Sequence, residues 1–197
     1  MGNRGSINYS SRVDWLVGKA SNTYTQFGED GLIEATLARV GETCRHCFEI
    51  GAADGRFFSN TLRLREDGWF AVLIESDTEQ FRKLNAEFGD ESECIHSLCD
   101  DLDNLLEYTD IDTRPDVGVI DIDGQDWYLW ADMIKYRPRV MMVEMMHDNP
   151  VPERGQAYER NNQAGITALS KLGTAKGYTL VATTHCNAIF VDDECLK

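Results

Sequence analysis

The sequence predicts an α/β fold: a doubly wound, mostly parallel sheet of about seven strands that closes in a C-terminal antiparallel hairpin. Three observations predict it. Short apolar runs alternate along the 197 residues with segments whose apolar positions recur at helical spacing, the pattern of βαβ units. WFAVLIES at 69–76 is continuously apolar until its acidic end, as in a strand covered on both faces. FEIGAADGRFFSNT at 48–61 reads as a strand, a tight glycine turn and the start of a helix. In such sheets ligands bind beyond the carboxyl ends of the strands.

The elements follow in order. Residues 1–24 are polar and weakly patterned and form an arm, anchored by Val13, Trp15, Leu16 and Val17. Residues 25–197 form a single domain. From Glu29 to Val40, the residues Leu32, Ile33, Thr36, Leu37 and Val40 share one helical face, and Gly41 is a natural stop. CFEIG at 47–51 is the first strand, followed by a helix from about Asn60 to about Asp67. After the second strand, Asp77 and Gln80 stand at capping-box spacing, and Phe81, Leu84 and Phe88 continue a helix to Gly89. Residues 94–98 are a short strand, and Asp101 caps a helix with Leu102, Leu105 and Leu106. VGVIDID at 117–123 is the fourth strand. Gln125 to Lys135 is helical, with Trp127, Trp130, Ala131 and Ile134 on one face and Pro138 as the breaker. RVMMVE at 139–144 is the fifth strand, 145–160 a polar loop of functional length, and 161–176 a helix closed by Gly177. TLVAT at 179–183 and NAIFV at 187–191 make the hairpin.

Composition narrows the function. A net charge of −15 opposes a nucleic-acid backbone or an anionic membrane surface and suits a small-molecule or cationic ligand. No apolar stretch is long enough to span a bilayer and no signal-peptide pattern is present, so a cytoplasmic protein is expected. The start MGNRGS formally fits a myristoylation pattern, but an untidy terminus is the plainer reading. Six scattered cysteines suit reduced thiols. Cys44 and Cys47 form a CxxC without the second pair a zinc site wants, and a strand rather than a helix follows it.

The chemistry gathers at the strand ends. Glu49, Glu75, Asp100, Asp101, Asp121, Asp123 and Glu144 all fall at or just beyond them. Helix caps and solubility explain such acids singly, but Glu49, Glu75 and Glu144 are not at capping positions. Gly51 and Gly55 let the backbone approach a ligand without a Cβ. From Gly51 to Glu75 is 24 residues, close to the roughly 20 expected for an acid that holds ribose hydroxyls. GAADG is not GxGxxG and puts a carboxylate where a dinucleotide site leaves room for pyrophosphate. That disfavours NAD and favours S-adenosylmethionine, which carries a sulfonium and an ammonium and no phosphate.

With these residues on the page, the sequence resembles the class I S-adenosylmethionine-dependent methyltransferases, with their Rossmann-like sheet, and more narrowly the FkbM-like family. TQFGEDGLI at 25–33, FEIGAADG, VIDIDGQDWYLW at 119–130, RPRVMMVE at 137–144 and GYTLVATTHCNAIFV at 177–191 carry the resemblance, which covers roughly residues 24–192. Glu49 and Ala53 stand where the commoner form of the first motif has Asp and Asn. The resemblance implies a single methyltransferase domain over 25–197. It implies that Glu49, Gly51 and Asp54 line the methionine half of the cofactor, with Ala52, Gly55 and Asn60 in the same stretch. Glu75 would hold the ribose, and Ser76 and the Leu98–Asp100 backbone would flank the adenine. Asp121 and Asp123 would face the methyl group and the acceptor.

Methyl transfer to oxygen needs an aligned hydroxyl and a route for its proton. Asp121, Asp123 and His147 are the candidate catalytic residues. A hard cation such as Mg²⁺ would lower the hydroxyl pKa, with Asp121, Asp123 and Glu144 as ligands and Asp148 and Asn149 in reserve. Trp127, Tyr128 and Trp130 could stack on an acceptor or pack the helix, and Arg154, Tyr158 and Arg160 could close over it. The expected function is O-methylation of a small hydroxylated acceptor, of sugar or natural-product type, by a chain that could be completed by a second copy. The alternatives are a nicotinamide-dependent oxidoreductase and an inactive cofactor-binding or interaction module.

Overall fold

The computed structural model describes residues 8–9, 13–146, 149–155 and 163–197. Five parallel strands form the body of its sheet: β1 (His46–Ile50), β2 (Phe70–Glu75), β3 (Glu93–His96), β4 (Val117–Ile120) and β5 (Val140–Glu144). Their spatial order is 3-2-1-4-5, the doubly wound order, which reverses between β1 and β4. β6 (Tyr178–Thr183) and β7 (Asn187–Asp192) form the hairpin, and β7 lies antiparallel against β5. The sheet is therefore mixed, with seven strands as the sequence predicts. The two-residue strand Asn8–Tyr9 adds an antiparallel edge beside β6.

Strand alternation sends neighbouring side chains to opposite faces, and helices bury both. Cys47, Leu73, Val119, Met142 and Ile189 face one apolar cluster with Leu32, Ile33 and Leu37 of α1 (Glu29–Val40). Phe48, Ile74, Ile120, Met141 and Phe190 face the other, with Leu129 and Trp130 of α5 (Asp126–Asp132). Trp130 is fully buried, its ring 4.7 Å from that of Phe190. It packs the core and is not available to an acceptor. Between these lie α2 (Leu62–Glu66), α3 (Thr78–Phe88) and α4 (Leu102–Leu106), and α6 (Ile166–Ala175) precedes the hairpin.

Side chains that capture backbone N–H groups explain where the elements end differently from expectation. β4 stops at Ile120 rather than running to Asp123, because the buried Asp126 carboxylate takes the N–H groups of Ile122 and Gly124 at 2.8 and 2.9 Å. α5 ends at Asp132, well before Pro138. There the Asp103 carboxylate accepts from Ile134 and Lys135, both at 2.7 Å, and leaves Ile134 86% exposed instead of on the packed face. α2 starts at Leu62, later than Asn60, because Glu49 holds the preceding residues. α6 starts at Ile166, behind Gly165. Asp77 caps α3 through the N–H groups of Glu79 and Gln80, but its own N–H goes to Glu75, so only half of the capping box forms. In the arm, Val13 and Leu16 are buried while Val17 is 61% exposed.

One buried ion pair ties the far end of the sheet together. Asp116, fully buried, accepts from the N–H groups of Thr43, Cys44 and Arg45 and pairs with Arg139 at 3.1 Å. Removing it strands a largely buried guanidinium and three donors. Asp116→Ala is expected to cost about 3–5 kcal/mol, read as a lowered urea midpoint.

Candidate active site

The carboxyl ends of β1 and β4 open the crevice, and a close backbone approach shapes it. Gly51 has φ +81°, and a Cβ there would stand 1.8 Å from the Asp121 carbonyl oxygen. Only glycine lets the turn cross the end of β4 at that distance. Its N–H donates to the Ile74 carbonyl at 2.9 Å, so the turn is pinned to β2 as well.

Two cavities meet at this crossing. The larger, about 320 Å³, is lined by Glu49, Gly51, Ala52 and Asn60 from the first turn and by Asp121, Asp123 and Glu144 from β4 and β5. Gln26, Glu29, Phe57, Phe58, Ser59, Cys186 and Asn187 complete it. The smaller, about 180 Å³, lies between the ends of β1, β2 and β4, with Ala53, Glu75, Ser76, Ser97 and Cys99 in its wall. Gly51, Asp121 and Asp123 belong to both. A third cavity, about 310 Å³, shares Cys99 and Ile122 with the second and adds Leu98, Asp100, Tyr128 and Arg154.

The carboxylates differ in what holds them. Glu75 accepts from the Ala53 N–H at 2.8 Å and the Asp77 N–H at 2.6 Å. These bonds fix its position and leave lone pairs for a ligand diol. Glu49 accepts from Ser59 Oγ, the Asn60 N–H and Thr61 Oγ1, at 2.7, 2.7 and 2.6 Å. It builds the wall. Glu144 accepts from the Asp123 N–H and Gln163 Nε2, both at 3.0 Å, and Gln163 also reaches Asp123 at 3.3 Å. Asp121 has Asn60 Nδ2 at 3.5 Å.

The electrostatics follow from burial and from acids set close to one another. Burial pushes the Asp121 carboxyl well up, and Glu144, Asp126, Glu49 and Asp123 add repulsion. Burial, then Asp126 and Asp123, push Glu144 up to about 8. Asp126 is pushed up to about 6, again by burial first. An acid raised from 4.5 to about 8 keeps a proton in the folded state that the unfolded chain has released. Its contribution is complete below the unfolded value and is lost as pH rises through the folded one. Ligand-free protein should therefore lose melting temperature as pH rises across that window. Glu144→Gln should flatten the loss, which calorimetry at several pH values checks.

Not every expected residue reaches a cavity. Asp54 spends its carboxylate on the N–H groups of Arg56 and Phe57, at 2.9 and 2.8 Å, and lines none of the three. The Phe57 N–H is the main reason its carboxyl stays below the usual range. Gly55 turns towards α3, where a Cβ would meet Leu84 and Phe88 at 2.6 and 2.7 Å. Both shape the turn, and neither lines any of these three cavities. Asp100 lies in the third cavity only. Asp101 caps α4. His147, Asp148, Tyr158 and Arg160 lie outside the described residues. Arg154 pairs with Asp132 at 2.7 Å. Cys47 is buried in β1. Among the described residues no three His, Cys, Asp or Glu side chains converge as a metal-holding group. Asp121, Asp123 and Glu144 thus share a cavity without forming the expected Mg²⁺ ligand set.

The structure also supplies residues that the sequence reading missed. Glu29 joins the start of α1 to the hairpin, accepting from Thr184 at 2.6 Å and Asn187 at 3.2 Å. Gln163 bridges Asp123 and Glu144. Phe57 and Phe58 gave a readable signal: two adjacent aromatics just past an Asp-Gly turn cannot both enter the core.

No family model matches the sequence, and no curated protein matches it. Solved structures do. The N-terminal domain of EvdMO1, crystallised with S-adenosylhomocysteine, is 13% identical with a TM-score of 0.51, over 85% of this chain and 82% of that one. The CurJ carbon methyltransferase is 12% identical with a TM-score of 0.57, over 83% of this chain. A candidate sarcosine dimethylglycine methyltransferase from Galdieria sulphuraria is 12% identical with a TM-score of 0.53, over 77% of this chain. The chain spans 52% of the CurJ protein and 61% of the Galdieria one. At these identities the likeness establishes the fold: the Rossmann-like sheet of class I methyltransferases. Among the described residues no helix is long and apolar enough to cross a membrane.

Proposed function

We propose that the protein is an S-adenosylmethionine-dependent methyltransferase that methylates a hydroxyl of a small acceptor, as the FkbM-like resemblance implies. One observation carries the reading. Two cavities that share Gly51, Asp121 and Asp123 in their walls lie across the strand-order reversal, with Glu75 anchored in one and the buried acids Asp121 and Glu144 lining the other. That donor set fits the cofactor: a carboxylate for the ribose diol and acids for its cationic end. It does not fit a pyrophosphate.

When bound, S-adenosylmethionine supplies the electrophilic methyl group. Glu75 holds the ribose from the end of β2, and Ser76, Ser97 and Cys99 border the adenine side. Gly51 and Asp121 lie where the two cavities share a wall, and Asn60 faces the larger one. The larger cavity would hold the acceptor, with its hydroxyl oxygen directed at the methyl group that the cofactor would supply. The hydroxyl proton passes to a carboxylate of the Asp121–Glu144 pair, poised for that task by burial.

The test is thermal unfolding in buffer, with S-adenosylmethionine and with NAD. S-adenosylmethionine at about 100 times its dissociation constant should add ~2.7 kcal/mol, or about 5–10 °C, and NAD nothing. Stabilisation by NAD alone would favour an oxidoreductase. Binding without methyl transfer to any acceptor would favour an inactive module.

A further inference from the structure

The wall of the larger cavity has a chemistry that the cofactor does not exhaust. It carries five carboxylates, from Glu29, Glu49, Asp121, Asp123 and Glu144, and no Lys, Arg or His among its described lining residues. Glu29 and Glu49 are occupied by internal donors. Asp123 and Glu144 share one side-chain donor, Gln163 Nε2. Asn187 is 3% exposed and lines the same cavity. Its Nδ2 donates to Glu29, and its Oδ1 has no donor among the described residues. The wall is therefore strongly acidic, and an arriving cation would favour release of the protons that burial keeps on Asp121 and Glu144. A buried acceptor without a partner calls for one from a ligand or a water.

The rest of the wall is aromatic. Phe57 is 67% exposed and Phe58 41%, with ring centroids 3.9 Å apart. Neither belongs to the buried clusters of the described residues. Asp54 fixes the turn that presents them. Phe58 has φ +57°, a conformation that bulky residues adopt rarely and that recurs at ligand clamps.

We propose that the methyl acceptor is a cationic hydroxylated amine, its ammonium set against the Asp123–Glu144 wall and its body over the Phe57 and Phe58 rings. This deepens the methyltransferase reading and rests on it. An ammonium brings three donors, which the carboxylates left by that release accept. Its charge is attracted by the carboxylates and by the aromatic faces. A phosphorylated or carboxylated acceptor would add an anion to an acidic wall whose described lining residues include no Lys, Arg or His.

The test uses protein saturated with S-adenosylhomocysteine and three probes that differ in one group: aminocyclohexanol, cyclohexanediol and hydroxycyclohexanecarboxylate. Ligand-observed NMR titration should rank the amine about tenfold tighter than the diol, with no binding of the carboxylate. Phe57→Ala, at an exposed position, should weaken the amine about tenfold and leave S-adenosylhomocysteine affinity unchanged. Equal or tighter binding of the diol or carboxylate, no binding of the amine, or indifference to Phe57→Ala would each overturn the proposal. The cofactor titration separates the two readings. Failure of S-adenosylhomocysteine to bind removes the methyltransferase assignment, whereas its binding with no preference for the amine removes only the acceptor class.

Discussion

Glu75→Ala is expected to abolish the thermal stabilisation given by S-adenosylmethionine. The side chain ends β2 at the mouth of the smaller cavity, is 8% exposed, and has both oxygens oriented by backbone donors. A carboxylate held this way binds a vicinal diol without first losing side-chain freedom. Alanine removes that contact and also frees the N–H groups of Ala53 and Asp77, so the turn and the start of α3 relax with it. Glu75→Gln separates the two effects. Its carbonyl oxygen still accepts one backbone bond while its NH2 faces the other donor, so the ligand-free melting temperature should fall less than in Glu75→Ala while most of the cofactor shift is lost. An unchanged shift in Glu75→Ala would place the ribose elsewhere.

Asp121→Ala should instead keep most of the cofactor shift and lower methyl transfer by about 10²–10⁴-fold, the usual range for a positioned proton acceptor. With Glu75 as the proposed ribose anchor, cofactor affinity should not depend mainly on Asp121. Its own position suits the reacting end: it follows β4, lines both cavities and has one long contact, to Asn60. With few donors around it, its carboxyl is held high, and an arriving cation would favour the ionised base. Asp121→Asn should be as slow as the alanine variant, because the amide keeps the shape and cannot take a proton. Normal turnover in either would move the base to Glu144.

The sheet was legible because its strands are apolar runs with abrupt acidic ends, and Glu49, Glu75 and Glu144 stand one residue from or at those ends. The termini of α2 and α5 were not. They depend on Glu49 and Asp103, which reach backbone N–H groups 11 or more residues away in sequence, and no local pattern records such a contact. The same limit divided the site. Gly51, Asp121 and Glu75 follow from strand ends alone. Asp54 and Gly55 share a motif with Gly51, yet the chain turns between them, so they shape the loop while Gly51 meets the cavity. Gln163 and Asn187 come from the far end of the chain and enter the site only through the antiparallel placement of β7 against β5. No short stretch of sequence carries that pairing.

The central claim is that one cofactor spans the two joined cavities. A crystal structure of the complex with S-adenosylhomocysteine tests it most directly. The expected result is ribose hydroxyls on Glu75, adenine beside Ser76 and Cys99, and the sulfur at the Gly51–Asp121 junction facing the larger cavity. Cofactor density that misses Glu75, or that fills the larger cavity and leaves the acceptor no room beside Asp121 and Glu144, would contradict it.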